Sequence, residues 1–136
     1  MRLAYVDSCI WITLIEGLES YRPPIQNALA RLAHEGWELC TSDAVRLEVL
    51  VRPQRLGDNN LVDIYEALLD AARTLPVRPA VFKDALVTAT REGLKAMDSV
   101  HVAIAAQHGC ERFVTTDPHF QDLTSPSPHL IALPAA

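Results

Sequence analysis

The stretch "RLAYVDSCIWITLIEG", residues 2–17, holds the pattern that decides the fold. A short apolar run ends at Asp7–Ser8, and from Cys9 onward the apolar residues fall at helical spacing. Asp and Ser side chains accept hydrogen bonds from the unpaired amides that open a helix. The stretch therefore reads as a strand that enters a helix directly through an acidic junction.

Working outward, the same alternation recurs. "PPIQNALARLAHEG" reads as a helix with Pro23 or Pro24 in its first turn and Gly36 at its end. "WELCTS" is a short buried strand, and "SDAVRLEVLVR" a helix capped by Ser42 or Asp43 and expected to stop before Pro53. "DNNLVDIYEALLDAAR" carries Leu61, Ile64, Tyr65, Leu68, Leu69 and Ala72 on one face, the amphipathic pattern. "TLPV" is a strand, followed by a helix from about Ala80 to Glu92. "LKAMDSVHVAIAAQHGC", Leu94 to Cys110, is apolar on most sides, with Met97, His101, Ile104 and His108 on one stripe, as a helix buried in a larger core is. "RFVTTD" and "HLIAL" supply the last strands, separated by a loop rich in Ser and Pro. Strands alternating with helices predict an α/β fold, a parallel sheet between helix layers. In such folds ligands bind beyond the carboxyl ends of the strands, near a topological switch point.

At 136 residues the chain has the size of one domain, expected to span residues 1–136, and 49 % hydrophobic residues suffice for a real core. No apolar run approaches the roughly 20 residues of a membrane helix. The apolar start is interrupted by Asp7 and Glu16, which makes a poor signal peptide, so a cytoplasmic protein with no membrane partner is expected. Three cysteines without CxxC spacing, and five histidines without HxxxH or HExxH, offer neither a disulfide framework nor a zinc pattern. The net charge of −5 argues against nucleic-acid binding by basic surface alone. That objection weakens if acids are clustered as metal ligands: setting four aside leaves 13 acids against 12 bases.

Four acids stand where such a cluster would form. Asp7 and Asp117 each follow a strand, although Asp7 also suits a helix cap and Asp117–Pro118 also suits a turn. Glu48 lies within "AVRLEVLV", whose apolar neighbours predict a substantially buried helix, and a buried carboxylate is costly unless paired or metal-bound. Asp98 stands near the start of the apolar helix, where it can serve the first turn. Magnesium and manganese favour hard oxygen ligands. Four acids with no nucleophilic Ser–His pair and no phosphate loop suit metal-assisted phosphodiester hydrolysis.

"YVDSCIWI", "SDAVRLEVLV", "LKAMDSVHVAIA" and "FVTTDPHF" together resemble, in order and spacing, the four acidic motifs of PIN-domain ribonucleases, above all the toxins of VapBC-type toxin–antitoxin pairs. The resemblance implies a three-layer α/β/α fold with a five-stranded parallel sheet in the order 3-2-1-4-5. It implies Mg²⁺- or Mn²⁺-dependent cleavage of RNA to 5′-phosphate and 3′-hydroxyl ends, with Asp7, Glu48, Asp98 and Asp117 as metal-binding and catalytic acids. Asp98 would bind metal while still serving its first turn. By the same likeness Thr115 would position a water or phosphate, Ser8 would support the site, and the partners would be RNA, a cognate antitoxin protein and a second copy in a homodimer. Pro118 departs from the pattern and could re-aim Asp117.

Candidate phosphate contacts are Arg46, Arg52, Arg55, Lys83, Arg91 and Lys95. Trp11, Ile12, Leu14 and Ile15, with the Leu61–Leu69 face, offer more apolar surface than one small core obviously requires; core packing is expected for most of these side chains, and Trp11 is the one to test for exposure. Other readings fit less well. A receiver domain needs paired acids after the first strand, which "VDSC" lacks; a haloacid-dehalogenase phosphatase needs DxD, where Cys9 stands; a cysteine phosphatase needs Arg where Ile15 stands. The serious rival is a catalytically inactive PIN-like module that binds RNA or protein.

Overall fold

A computed structural model describes residues 1–135, so the final residue of the expected 1–136 domain lies outside the described residues. The elements run β1 (Arg2–Val6), α1 (Ser8–Glu16), α2 (Arg22–His34), β2 (Trp37–Ser42), α3 (Asp43–Arg55), α4 (Asn59–Asp70), β3 (Arg73–Leu75), α5 (Val81–Glu92), α6 (Ala96–Gln107), β4 (Arg112–Thr115) and β5 (Ser127–Leu130), with one-turn 3₁₀ helices at Glu19–Tyr21 and Pro118–Phe120. All five strands are parallel, in the order β3-β2-β1-β4-β5, as the family resemblance implied.

The register explains the composition of β1. Tyr5 pairs with Cys40 on one side and Phe113 on the other, so Leu3–Val6 is buried on both faces and reads as a continuous apolar run. The edge strand β5 contains Pro128, tolerated there because an edge strand needs only half its amides paired. From β1 the chain moves outward through β2 to β3, then crosses back to β4. Right-handed crossovers therefore put α1–α4 on one face and α5–α6 on the other. The direction reverses between β1 and β4, which makes the carboxyl ends of those strands the topological switch point.

Three local expectations change. α3 does not stop before Pro53 but continues to Arg55, with the proline ring buried. In the last turn a proline forfeits one hydrogen bond close to where the helix ends anyway, and its ring is packed against the core. α3 is also less buried than its apolar sequence predicts, since Leu47 and Val51 face solvent while Val45 and Val49 face inward. Conversely Trp11, the side chain to test for exposure, is core: only 3 % of its surface is accessible.

The segment Leu94–Cys110 is helical only over Ala96–Gln107. Its end is set by Gly109, at φ +70°, with Gly109 N–H bonding to Ala106 C=O and Cys110 N–H to Ala105 C=O. That is the Schellman arrangement, which requires a left-handed residue where glycine stands. Across the middle of α6, His101–Ala105 is buried throughout, as expected of a core helix. No helix among the described residues is long and apolar enough to cross a membrane.

Candidate active site

Four elements converge at the switch point. Asp7 leaves the carboxyl end of β1, Asp117 stands just past β4, Glu48 lies on the second turn of α3, and Asp98 lies on the first turn of α6. All four line one open cleft of about 540 Å³, together with Ser8, Cys9, Ile12, Leu47, Val51 and Met97. No Lys or Arg lines it.

Asp7 is 6 % exposed and caps α1, its Oδ1 accepting from the Ser8 amide at 2.8 Å. Its Oδ2 accepts from the Thr115 hydroxyl at 2.9 Å and from the Cys9 thiol at 3.3 Å. The capping and site readings of Asp7 are thus compatible. Burial pushes its carboxyl above the usual range, against the opposing pull of His101 and these hydrogen bonds. Cys9 is pushed up to about 11 by burial and by Asp7, so it remains a thiol that donates to the carboxylate.

Thr115 is fully buried beneath Asp7 and does not line the cleft, which gives it no access to a substrate phosphate. It donates to Asp7 and accepts from the Asp117 amide at 3.0 Å, so it joins the first and fourth acids. Asp117 caps the short 3₁₀ turn that Pro118 opens, accepting from the His119 amide at 2.9 Å and bonding the His119 ring nitrogen Nδ1 at 2.7 Å. Pro118 accordingly shapes the turn without turning Asp117 away from the cleft.

Asp98 differs from the expectation that it serves its own helix. Lys95 occupies the cap position, and among the described residues no side-chain hydrogen bond reaches the Asp98 carboxylate. Burial, then the charges of Asp7 and Asp117, push its carboxyl above the usual range. Glu48 goes the other way. Burial raises it, but hydrogen bonds from His101 and Ser8 outweigh burial and hold it below the usual range.

The donor set suits a hard divalent cation: among the described residues the cleft is lined by four carboxylates with no lysine or arginine, and one of those acids accepts no side-chain hydrogen bond. Among the described residues no three of these side chains stand close enough to form a ready-made ligand cage. Several of their oxygens instead accept from protein donors.

Two further residues, Tyr5 and His101, belong to the site although their role escaped the sequence reading. His101 was assigned to the core stripe of α6, yet its ring bonds Glu48 through Nε2 and Tyr5 through Nδ1, the latter at 2.7 Å. The available signal was a polar ring one turn after an acid in an otherwise apolar helix. Of the proposed phosphate contacts, Arg46, Arg52 and Arg91 are paired with Asp70, Glu16 and Glu92, and none of the six lines the cleft.

The PIN domain family model matches residues 4–125, nearly the whole chain, a span within which all four acids lie. The chain belongs to the PIN domain family. Among solved structures, this PIN domain is similar to a toxin–antitoxin complex from Klebsiella pneumoniae, at 18 % identity and TM-score 0.69, over 93 % of this chain and 99 % of that one. It is similar to DNA-bound VapBC from Salmonella typhimurium, at 14 % identity and TM-score 0.75, over 97 % and 100 % of the two chains. It is also similar to VapC20 of Mycobacterium tuberculosis, a sarcin–ricin loop cleaving toxin, at 18 % identity and TM-score 0.64, over 87 % and 92 %. At such identities the likeness establishes the fold. No curated protein matches this PIN domain in sequence.

Proposed function

We propose that this PIN domain is a Mg²⁺- or Mn²⁺-dependent endoribonuclease, the toxin of a type II toxin–antitoxin pair, cutting RNA to 5′-phosphate and 3′-hydroxyl ends. The observation that carries the reading is the convergence of Asp7, Glu48, Asp98 and Asp117, from four separate elements, on one cleft with no lysine or arginine in its lining. The family points the same way, and the likeness to VapBC complexes and to a VapC toxin favours an antitoxin partner.

Asp7 and Asp98 would be the central ligands, with Glu48 and Asp117 completing the set directly or through water. A divalent ion held there supplies Lewis acidity at the scissile phosphodiester and lowers the pKa of the attacking water. The protein's own part is orientation. Thr115 and the Ser8 amide fix the two oxygens of Asp7, so that its carboxylate is aimed before any ligand arrives. Thr115 is assigned as a positioning residue, since it touches Asp7 and the Asp117 backbone and not the cleft. Ile12, Leu47, Val51 and Met97 rim the acids with apolar surface that excludes water once RNA covers it.

The test is cleavage of 5′-labelled RNA by the purified, partner-free protein in Mg²⁺, Mn²⁺ or EDTA, beside Asp7→Asn and Asp98→Asn. Metal-dependent cleavage lost in both variants is expected. Intact RNA under every condition, from folded protein shown to bind Mn²⁺, would favour a binding module instead.

A further inference from the structure

Glu48 is gripped by two donors from two different helices. Ser8 Oγ donates to Glu48 Oε1 at 2.6 Å, and His101 Nε2 bonds to the same oxygen. Ser8 directly follows Asp7, and His101 lies one turn beyond Asp98 on α6. Each of the two central acids is therefore trailed by a residue that reaches across to Glu48. The place of Glu48 relative to Asp7 and Asp98 is defined by these side chains.

The grip continues inward. His101 Nδ1 lies 2.7 Å from Tyr5 Oη, and Tyr5 Oη lies 2.7 Å from Ser42 Oγ, the residue that precedes α3. His101 is 1 % exposed, and the Tyr5 ring is fully buried and stacked on Phe113 at 5.5 Å between centroids and 10° between planes. An ionised carboxylate can only accept, so Nε2 carries the proton on the Glu48 side. Nδ1 then meets Tyr5 Oη and Tyr5 Oη meets Ser42 Oγ, so each group in the row has a hydrogen-bond partner. Both donors use Oε1, and among the described residues no hydrogen bond reaches Oε2.

We propose that His101, its ring held in place by Tyr5, is the positioning residue that pins Glu48 Oε1 and leaves Oε2 as the one oxygen Glu48 offers to the cleft. The inference rests on the reading of Glu48 as a metal-site acid and deepens it. A histidine thereby orients a carboxylate, the reverse of the common case in which a carboxylate orients a metal-binding histidine.

The experiment measures Mn²⁺ binding to the full chain by titration calorimetry and by the electron paramagnetic resonance signal of free Mn²⁺. The variants are Glu48→Gln, His101→Leu, His101→Gln and the double variant Glu48→Gln/His101→Leu. Loss of an outer-shell partner weakens metal affinity about 10–100-fold. Glu48→Gln and His101→Leu should each weaken Mn²⁺ by about 10-fold on that scale, and the double variant no further than Glu48→Gln alone. His101→Gln, whose amide supplies a donor near the place of Nε2, should recover most of the loss. Wild-type affinity in His101→Leu with a clear loss in Glu48→Gln overturns the role of His101 and leaves the metal site standing. No loss in Glu48→Gln removes Glu48 from the metal site, and the proposal with it. Should His101→Leu fail to fold, nitrogen-15 spectra of the histidine rings in the unaltered protein decide. A proton on Nε2 is expected, and a ring bare at Nε2 overturns the proposal.

Discussion

The Thr115 hydroxyl donates to Asp7 Oδ2 at 2.9 Å while accepting from the Asp117 backbone amide at 3.0 Å. One buried hydroxyl thus ties the carboxyl end of β1 to that of β4 at the point where the sheet reverses direction. The residue is invisible to solvent, yet two of the four site acids depend on it for their placement.

Thr115→Val tests that dependence, because valine preserves the shape and removes only the hydroxyl. Loss of the hydrogen bond should cost about 1 kcal/mol of stability, read from denaturant unfolding. If the proposed activity holds, the rate of RNA cleavage at saturating substrate should fall 10-fold or more with little change in RNA affinity, since Thr115 does not face the cleft. An unchanged rate with the expected loss of stability would confine Thr115 to packing.

Asp98 carries the opposite expectation. Among the described residues its carboxylate has no side-chain hydrogen-bond partner, and it is raised by burial and by Asp7 and Asp117. In metal-free protein near neutral pH, Asp98→Asn relieves that repulsion and should raise the melting temperature; for a chain of this size 1 kcal/mol corresponds to about 3–5 °C. Added Mn²⁺ should then stabilise the unaltered protein and leave the variant where it was. A variant that melts lower than wild type without metal would show that Asp98 makes a favourable contact in the fold.

The element order was readable because each strand and helix has its own period, and because acids and caps punctuate the junctions. Even the cleft was readable in outline, since Asp7 and Asp117 follow strands on either side of the switch point. What the chain could not reveal was which way side chains turn once folded. Glu48 looked buried because Leu47, Val49 and Leu50 flank it, but of these only Val49 is buried, and Leu47 stands exposed on the cleft rim. Asp98 looked like a cap because Asp so often is one, whereas Lys95 holds that position. His101 looked like core, and it is core; its partners come from β1 and α3, at sequence distances where local pattern carries no information.

His129 gives a pH dependence remote from the cleft. On β5 it lies 3.1 Å, through Nδ1, from the guanidinium of Arg112, and burial followed by that positive charge holds it below its ordinary value of 6.5. The folded protein therefore binds the proton less readily than the unfolded chain. The stability that follows is fully present above pH 6.5 and is lost as pH falls from 6.5 toward the lower folded value. Melting temperatures across that window should fall less steeply in His129→Gln than in the unaltered protein. Parallel curves would mean that the ring titrates alike in both states.

α5 presents Phe82, Leu86 and Val87 to solvent along one face, at 74, 69 and 58 % exposure. Three large exposed apolar side chains, Phe82 one turn before the adjacent Leu86 and Val87, on a helix that also packs against α6 are more than a lone domain needs. If the proposed homodimer forms, this face is where burial would stabilise it, at about 25 cal/mol for each Å² of apolar surface removed from water. Phe82→Lys/Leu86→Lys should then sediment as a monomer at concentrations where the unaltered chain sediments as a dimer. The melting temperature of the dilute protein should be unchanged, because neither side chain belongs to the core. A dimer that survives both charges would place the contact elsewhere.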